Sequence, residues 1–264
     1  MVDTLISTID DDGVATVTLS RPDVHNAFND DLIWELNNSF TTLGTNPDVR
    51  AIILTGAGKN FSAGADLNWM KAAANYSAEQ NMRDAKQLSG MLGTLDTCPK
   101  PTIAIVNGAA YGGGVGLVAC CDIVIAVESA SFALSEVRLG LTPATISPYV
   151  VAAIGQRAAR RYFLTAERFG AEEARRIGLV HEIAPSLQEA SCLSSKVIKH
   201  ILAGAPMAQQ EAKALIRDVS GEKITEDLTT ETARRIAARR ASTEGREGVT
   251  AFLEKRPAAW SVKS

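Results

Sequence analysis

The sequence predicts an α/β fold: a core of helix-covered sheet, followed by a helical layer at its C-terminal end. Three observations carry that expectation. Runs at 49–54 (VRAIIL), 102–106 (TIAIV) and 123–127 (IVIAV) are almost wholly apolar, so they read as strands covered on both faces. Stretches of helical period alternate with them, the order that builds β-α-β units. From Pro148 onward the chain reads as helix nearly throughout, with Gly170, Gly178 and Gly204 as stops and Pro206 as a start.

In order, residues 4–9 and 14–19 alternate as two strands about the turn residues Asp11, Asp12 and Gly13, a hairpin. Asn29, with Asp30 and Asp31 in the first turn, starts a helix whose stripe is Leu32, Ile33, Leu36, Phe40 and Leu43. The strand at 49–54 ends at Gly56. Ser77 and Gln80 form a capping box ahead of the stripe Leu88, Met91, Leu92 and Leu95, which predicts a second long helix before Pro99. Strand 102–106, a glycine-rich turn, a short apolar helix and strand 123–127 follow. No low-complexity linker or repeat divides the chain, so 1–184 reads as the core and 185–264 as an attached helical module.

With 264 residues, 46% of them apolar and 22% charged, the chain can bury the core of one main domain. A net charge of −3 supplies no basic field, so nucleic acid is not the expected partner. The apolar stretch 101–127 is broken by Pro101, Asn107, several glycines and Asp122, which fits strand, turn and helix better than a membrane span. Cysteines at 98, 120, 121 and 192 have neither disulfide nor zinc spacing and are expected as reduced thiols. The acidic opening MVDTLISTIDDDG has no basic region before an apolar run, so no leader is expected and the location reads as cytoplasmic.

Motifs that would redirect the reading are missing. GAGKNF at 56–61 has Ile53 where a phosphate loop needs its first glycine and Asn60 where it needs a hydroxyl. There is no G-x-S-x-G elbow. His25, His181 and His200 have neither metal spacing nor a triad partner, so they read as surface or hydrogen-bonded residues, and no metal is expected.

Two small-residue turns remain. In NGAAYGGGVGLVACCD (107–122), Gly112, Gly113 and Gly114 follow a strand and open a short helix, so free N–H groups face whatever sits there and no Cβ keeps a ligand away. A turn that needs glycine only for packing would look the same. In FSAGADL (61–67) Ala65 can offer another N–H to the same point, while Asp66 reads equally well as the cap of a helix beginning near Leu67.

FSAGADL, NGAAYGGGVGLVACCD, FALSEVRLGLTP, RYFLTAERFGAEEARRIGLV and AFLEKR, with LSRPDVHNAFN near the start, resemble in order and spacing the enoyl-CoA hydratases and isomerases, the crotonase superfamily. The resemblance implies a crotonase-like spiral of ββα turns, with the C-terminal helices as the trimerisation module of a homotrimer or a hexamer of two trimers. It implies an oxyanion hole from the N–H groups of Ala65 and Gly113. Coenzyme A is then part of an acyl-CoA substrate, with no permanently bound cofactor. The thioester is expected against Val24, His25 and Ala27 and against Ala63, Gly64, Asp66 and Leu67, with Gly112 and Gly116 also at the substrate. Phe252 and Lys255 match residues that reach the CoA, although Lys255 also reads as a solvated helix lysine.

Glu136, in LSEVRLG, matches the glutamate that exchanges a proton with the carbon next to the thioester. Phe132, Leu134, Val137 and Leu139 are expected to raise its pKa if they bury it, and a salt bridge to Arg138 is the plain alternative. Three residues after Gly113, where the common hydratases carry a second glutamate, stands Gly116, expected to leave room for a branched or carboxylated acyl group. LGLTPATISPYV also lacks the glycine-rich stretch that usually follows the shared proline. With FSAGADLNWM and LSEVRLGLTPATISP, these departures most resemble the bacterial hydratases of methylglutaconyl-CoA and isohexenylglutaconyl-CoA.

The expected function is hydration of an α,β-unsaturated acyl-CoA. Double-bond isomerisation by a single carboxylate is the first alternative. An RNA-binding or scaffold protein on the same fold is the second, prompted by Arg234, Arg235, Arg239 and Arg240, a stretch that Glu226, Asp227, Glu231 and Glu244 interleave or flank. Trp69 and Met70 read as acyl-pocket lining or as core, and Arg138 and Lys71 are the candidates for holding a substrate carboxylate.

Overall fold

The hairpin forms as β1 (Leu5–Ile9) antiparallel to β2 (Val14–Leu19), with Gly13 at φ 78° and the Asp10 carboxylate accepting from the N–H groups of Asp12 and Val14. This computed structural model describes residues 4–261; positions 1–3 and 262–264, the outer ends of the segments read as core and helical module, lie outside the described residues.

Helix α1 (Asp30–Thr45) starts at Asn29, whose Oδ1 accepts from Leu32 N at 3.0 Å, and buries Leu32, Ile33, Leu36, Phe40 and Leu43. β3 (Ala51–Gly56) begins two residues later than its sequence suggests. Val49 and Arg50 are used in the approach, where Arg50 N donates to Gly13 O. α2 (Leu67–Ala73) follows, and α3 (Ala78–Asp96) carries both halves of the Ser77–Gln80 capping box. Then come β4 (Thr102–Val106), β5 (Ala109–Tyr111), α4 (Gly113–Cys120), β6 (Ile123–Val127), β7 (Ser131–Ala133) and α5 (Ser147–Thr165). The chain finishes with β8 (Phe169–Gly170), α6 (Ala171–Arg176), β9 (Glu182–Ala184), α7 (Leu187–Ala203), α8 (Pro206–Val219), α9 (Glu226–Ala241) and α10 (Thr243–Leu253).

The large sheet has the order β1-β2-β3-β4-β6-β9, parallel throughout except for β1. A smaller sheet, β5-β7-β8, pairs β5 with β7 in parallel and β7 with β8 antiparallel, and parallel bridges joining Phe28 to Ala65 and Ser62 to Ala110 extend its ladder. Successive turns of the chain thus give one strand to the large sheet and one extended segment to the small ladder before entering a helix. This is the ββα spiral that the resemblance implied.

Three features of the region read as nearly all helix differ, the first being the two-residue strand β8, which pairs with β7. β9 completes the large sheet, pairing Glu182, Ile183 and Ala184 with Ile125, Ala126 and Val127, and three residues are too few to show a period. Gly155, at φ 70° and ψ 160°, interrupts α5, a conformation open to glycine and costly for other residues.

Every residue of β4 is buried, α1 packs on α3, and α7 packs against β3, β4, β6 and β9. α8 and α9 bury none of their residues and leave Ile216, Ile224, Ile236, Val249 and Phe252 exposed in and around the last three helices. Among the described residues no helix is long and apolar enough to cross a membrane.

Arg50 ties this layer to the core. Its guanidinium donates to Trp260 O (3.1 Å), Leu202 O (3.2 Å) and Gly204 O (3.0 Å), while burial lowers its pKa. Arg50→Ala orphans three carbonyls and is expected to cost about 2–4 kcal/mol, read as a shifted urea midpoint. An unchanged midpoint would show that the layer is held elsewhere.

Candidate active site

The loop after β2 is shaped by two consecutive left-handed residues, His25 (φ 56°) and Asn26 (φ 54°). Non-glycine residues hold such angles at a cost, and here buried hydrogen bonds offset it. Asn26 is fully buried. Its Nδ2 donates to Ala57 O (2.9 Å) and Asn60 O (2.8 Å), and its Oδ1 accepts from Arg21 N (2.9 Å). Ser62 Oγ donates to Asn26 O at 2.9 Å, which binds the loop after β3 to the loop after β2.

Arg21 closes the clamp. Its guanidinium donates to Ala27 O (2.5 Å) and to Asp66 Oδ2 (2.9 Å), while Asp66 Oδ1 accepts from Asn68 N (2.8 Å) and so caps α2. Burial alone would raise the Asp66 pKa, but the hydrogen bonds from Asn68 and Arg21 hold it below the usual carboxylate range. On either side of Ala65, Phe28 N donates to Gly64 O (2.6 Å) and Asp66 N donates to Phe28 O (2.8 Å). Ala65 itself is exposed, and among the described residues its N–H has no acceptor.

A second donor comes from the turn between β5 and α4. Gly112, at φ 49°, donates its N–H to Ala133 O, and Gly113 is then the first residue of α4, where an N–H has no intrahelical acceptor. Phe28 lies over Gly113, since a Cβ there would stand 2.5 Å from the ring's Cε2. The two loops touch: a Cβ on Gly64 would stand 2.8 Å from Tyr111 O and 3.8 Å from Gly112 Cα.

Glu136 opens the 3-10 turn Glu136–Leu139 after β7. Its Oε1 faces Gly112, 3.0 Å from where a Cβ would be, and its Oε2 is buried with no hydrogen-bond partner among the described residues. Burial pushes its pKa above the ordinary carboxylate value, partly offset by its own backbone N–H. No ion pair joins it to Arg138, which is exposed. Phe132 and Leu134 are buried nearby in sequence, whereas Leu139 is 58% exposed and does not enclose it. The arrangement offers two unclaimed N–H groups on adjoining loops and a proton-accepting carboxylate beside one of them.

Residues 10–263 match the family model described as enoyl-CoA hydratase/isomerase. The chain belongs to the enoyl-CoA hydratase/isomerase family. A crystal structure of an enoyl-CoA hydratase from Shewanella pealeana is 44% identical with a TM-score of 0.95, covering 98% of this chain and 97% of that one. The Pseudomonas aeruginosa structure AtuE is 34% identical at a TM-score of 0.94, covering 98% and 100%. The 2,3-dehydroadipyl-CoA hydratase of Escherichia coli K12 is 35% identical over 92% of this chain and 93% of its own.

Measured against the CoA contacts implied for this family, the structure divides the candidates. Val24 and His25 are exposed at the loop, with His25 Nδ1 against Asn60 Nδ2 at 2.9 Å; Ala27 is buried, and Ala63 spends its N–H on His25 O. Leu67 is 74% exposed at the start of α2. Asp66 has its carboxylate and N–H occupied by Arg21, Asn68 and Phe28, so it caps α2 and clamps the two loops. Gly116 requires correction: it is buried, and a Cβ on it would overlap Ile146 Cγ2, so the space expected where its side chain is missing is filled by Ile146. Phe252 (82% exposed) is in the last turn of α10, which packs on α8 and α9, and Lys255 follows the helix at φ 54°; among the described residues no hydrogen bond ties them to the loops of the site.

Trp69 Nε1 donates to Asp30 Oδ1 (3.1 Å) and Asp84 Oδ1 (3.0 Å), pinning α2 to α1 and α3. His181 Nδ1 accepts from Val124 N. Arg234, Arg235 and Arg239, which line a cleft of about 360 Å³ between α8 and α9, are paired with Glu231, Asp218 and Glu244, whereas Arg240 of the same stretch has no ion pair among the described residues. Sequence reasoning missed Arg21, Asn26, Ser62 and Ile146. The first two stand in LSRPDVHNAFN, where an asparagine beside a histidine in a turn is the only local signal.

Proposed function

We propose that the chain is an enoyl-CoA hydratase-type enzyme that adds water across the α,β double bond of an acyl-CoA thioester. The carrying observation is that one carboxylate with an unpartnered oxygen, Glu136, faces Gly112 beside the unclaimed Gly113 N–H, on a loop adjoining the one that carries the unclaimed Ala65 N–H, in a family that includes the hydratases of Shewanella pealeana and Escherichia coli. As the thioester carbonyl becomes an enolate its oxygen gains charge, and fixed N–H groups bind that state more tightly than the ground state. Glu136 accepts a proton from water as its oxygen bonds to the β-carbon, then returns a proton to the α-carbon, leaving a 3-hydroxyacyl-CoA.

For the substrate we favour a branched or carboxylated acyl group of the methylglutaconyl-CoA kind. Motif resemblance supports it, as does a relative named for a dehydroadipyl thioester, which carries a second carboxyl group. Arg138, exposed two residues after Glu136, is the candidate for that carboxylate. The exposed apolar residues of the last three helices support a homotrimer or hexamer formed through residues 185–264. The cytoplasm is the proposed location.

The filled space at Gly116 favours one other reading, isomerisation, because a single carboxylate can move a proton between two carbons. Crotonyl-CoA, methylglutaconyl-CoA and a straight-chain 3-enoyl-CoA, with products followed by mass and NMR, separate the two. The expected result is one water gained by the carboxylated substrate and little by crotonyl-CoA. Isomerised 3-enoyl-CoA as the sole product supports the second reading, and no turnover by the folded chain rejects both.

A further inference from the structure

Gly113 and Gly116 are separated by less than a full turn of α4, about 4.5 Å along its axis, and so share a side of that helix. Phe28 covers the first and Ile146 the second. A Cβ on Gly116 would overlap Ile146 Cγ2 and stand 3.0 Å from Ile146 Cβ and 3.5 Å from Leu92 Cδ2. Ile146 is the N-cap of α5 and is 2% exposed, and α5 packs against both α4 and the 3-10 turn of Glu136. Its β-branched side chain therefore fills a fixed volume in the corner between the helix that starts at one donor and the turn that carries the carboxylate.

We infer that Ile146 is the specificity-determining residue of the acyl site, closing it behind the β-carbon and, by filling the volume open to a side chain at 116, keeping the site to one carboxylate. This rests on the acyl-CoA reading above. A thioester with its oxygen on Gly113 N–H and its α-carbon at Glu136 brings the β-carbon and its substituents into this corner. There they meet Ile146, backed by the fully buried Leu92, an apolar stop that sorts acyl groups by shape. The pairing is reciprocal: position 116 must stay glycine while 146 is isoleucine, and a smaller residue at 146 opens space usable from either side.

The test uses binding, so it does not depend on which reaction the enzyme performs. Dissociation constants for butyryl-CoA and for its 3-methyl-branched counterpart are measured by calorimetry on the full chain, Ile146→Val and Ile146→Ala. Ile146→Ala is expected to shift the ratio of the two constants about tenfold toward the branched thioester, and Ile146→Val by less. In parallel, Gly116→Ala is expected to lower the Tm, and Gly116→Ala with Ile146→Ala to recover part of that loss relative to the sum of the single changes. An unchanged ratio in folded variants that bind both thioesters would make Ile146 an ordinary core residue and overturn the inference, as would strictly additive Tm shifts. Failure of every folded variant to bind either thioester would instead overturn the acyl-CoA reading beneath it.

Discussion

Ala65→Pro is expected to lower turnover by about 10²–10³-fold while the fold and the affinity for coenzyme A survive. Proline removes one backbone donor, and at position 65 that donor takes no part in folding: the neighbouring bonds, Phe28 N to Gly64 O and Asp66 N to Phe28 O, belong to other residues. The loss is therefore confined to the state in which an oxygen has become charged. Gly113→Pro is a poorer probe, because a substituent there meets the Phe28 ring and a folding defect would mimic a catalytic one. Ala65→Gly keeps the N–H and should stay within a few-fold of the parent. Steady-state kcat on the accepted enoyl-CoA, with calorimetry for CoA and circular dichroism for the fold, reads the outcome. A folded Ala65→Pro enzyme that turns over normally would remove Ala65 from the oxyanion hole.

What the sequence made legible follows from how far each signal reaches along the chain. α1 and α3 were visible because their caps and stripes are local, Asn29 with Leu32 through Leu43 and Ser77 with Gln80. β5, β7, β8 and β9 were not, since two or three residues carry no period and their existence depends on distant partners. The same division runs through the site. Glycine at 112 and 113 announces a close backbone approach, and Glu136 announces itself through its motif. Asn26 and Arg21 act through carbonyls and a carboxylate up to 45 positions away, which only the folded chain brings together. Gly116 shows the opposite failure. Read alone, a missing side chain looks like space, but Ile146, thirty residues on, occupies it.

Glu136→Gln is expected to reduce kcat by about 10²–10⁴-fold, the range for a general acid or base, without destabilising the protein at neutral pH. Gln keeps the shape and loses the proton exchange. The stability half follows from burial. Oε2 has no partner and desolvation raises the folded-state pKa, whereas the unfolded chain releases its proton near the ordinary value of about 4.3. Between those two values the unfolded state binds fewer protons, so stability falls as pH rises through the window. It is highest relative to the variant below the unfolded pKa, and the advantage is gone above the folded one. A neutral amide costs less to bury than a carboxylate, so at pH 7 the variant should match or exceed the parent in urea midpoint, with the difference shrinking toward pH 4. The acid limb of the parent's pH–rate profile should lie at higher pH than an ordinary glutamate gives, and should be missing from the residual rate of Glu136→Gln. A fully active variant would take proton transfer away from this residue. A variant that is inactive and also much less stable at pH 7 would mean that Glu136 is held for structure, against the unpaired, desolvated carboxylate on which the mechanism depends.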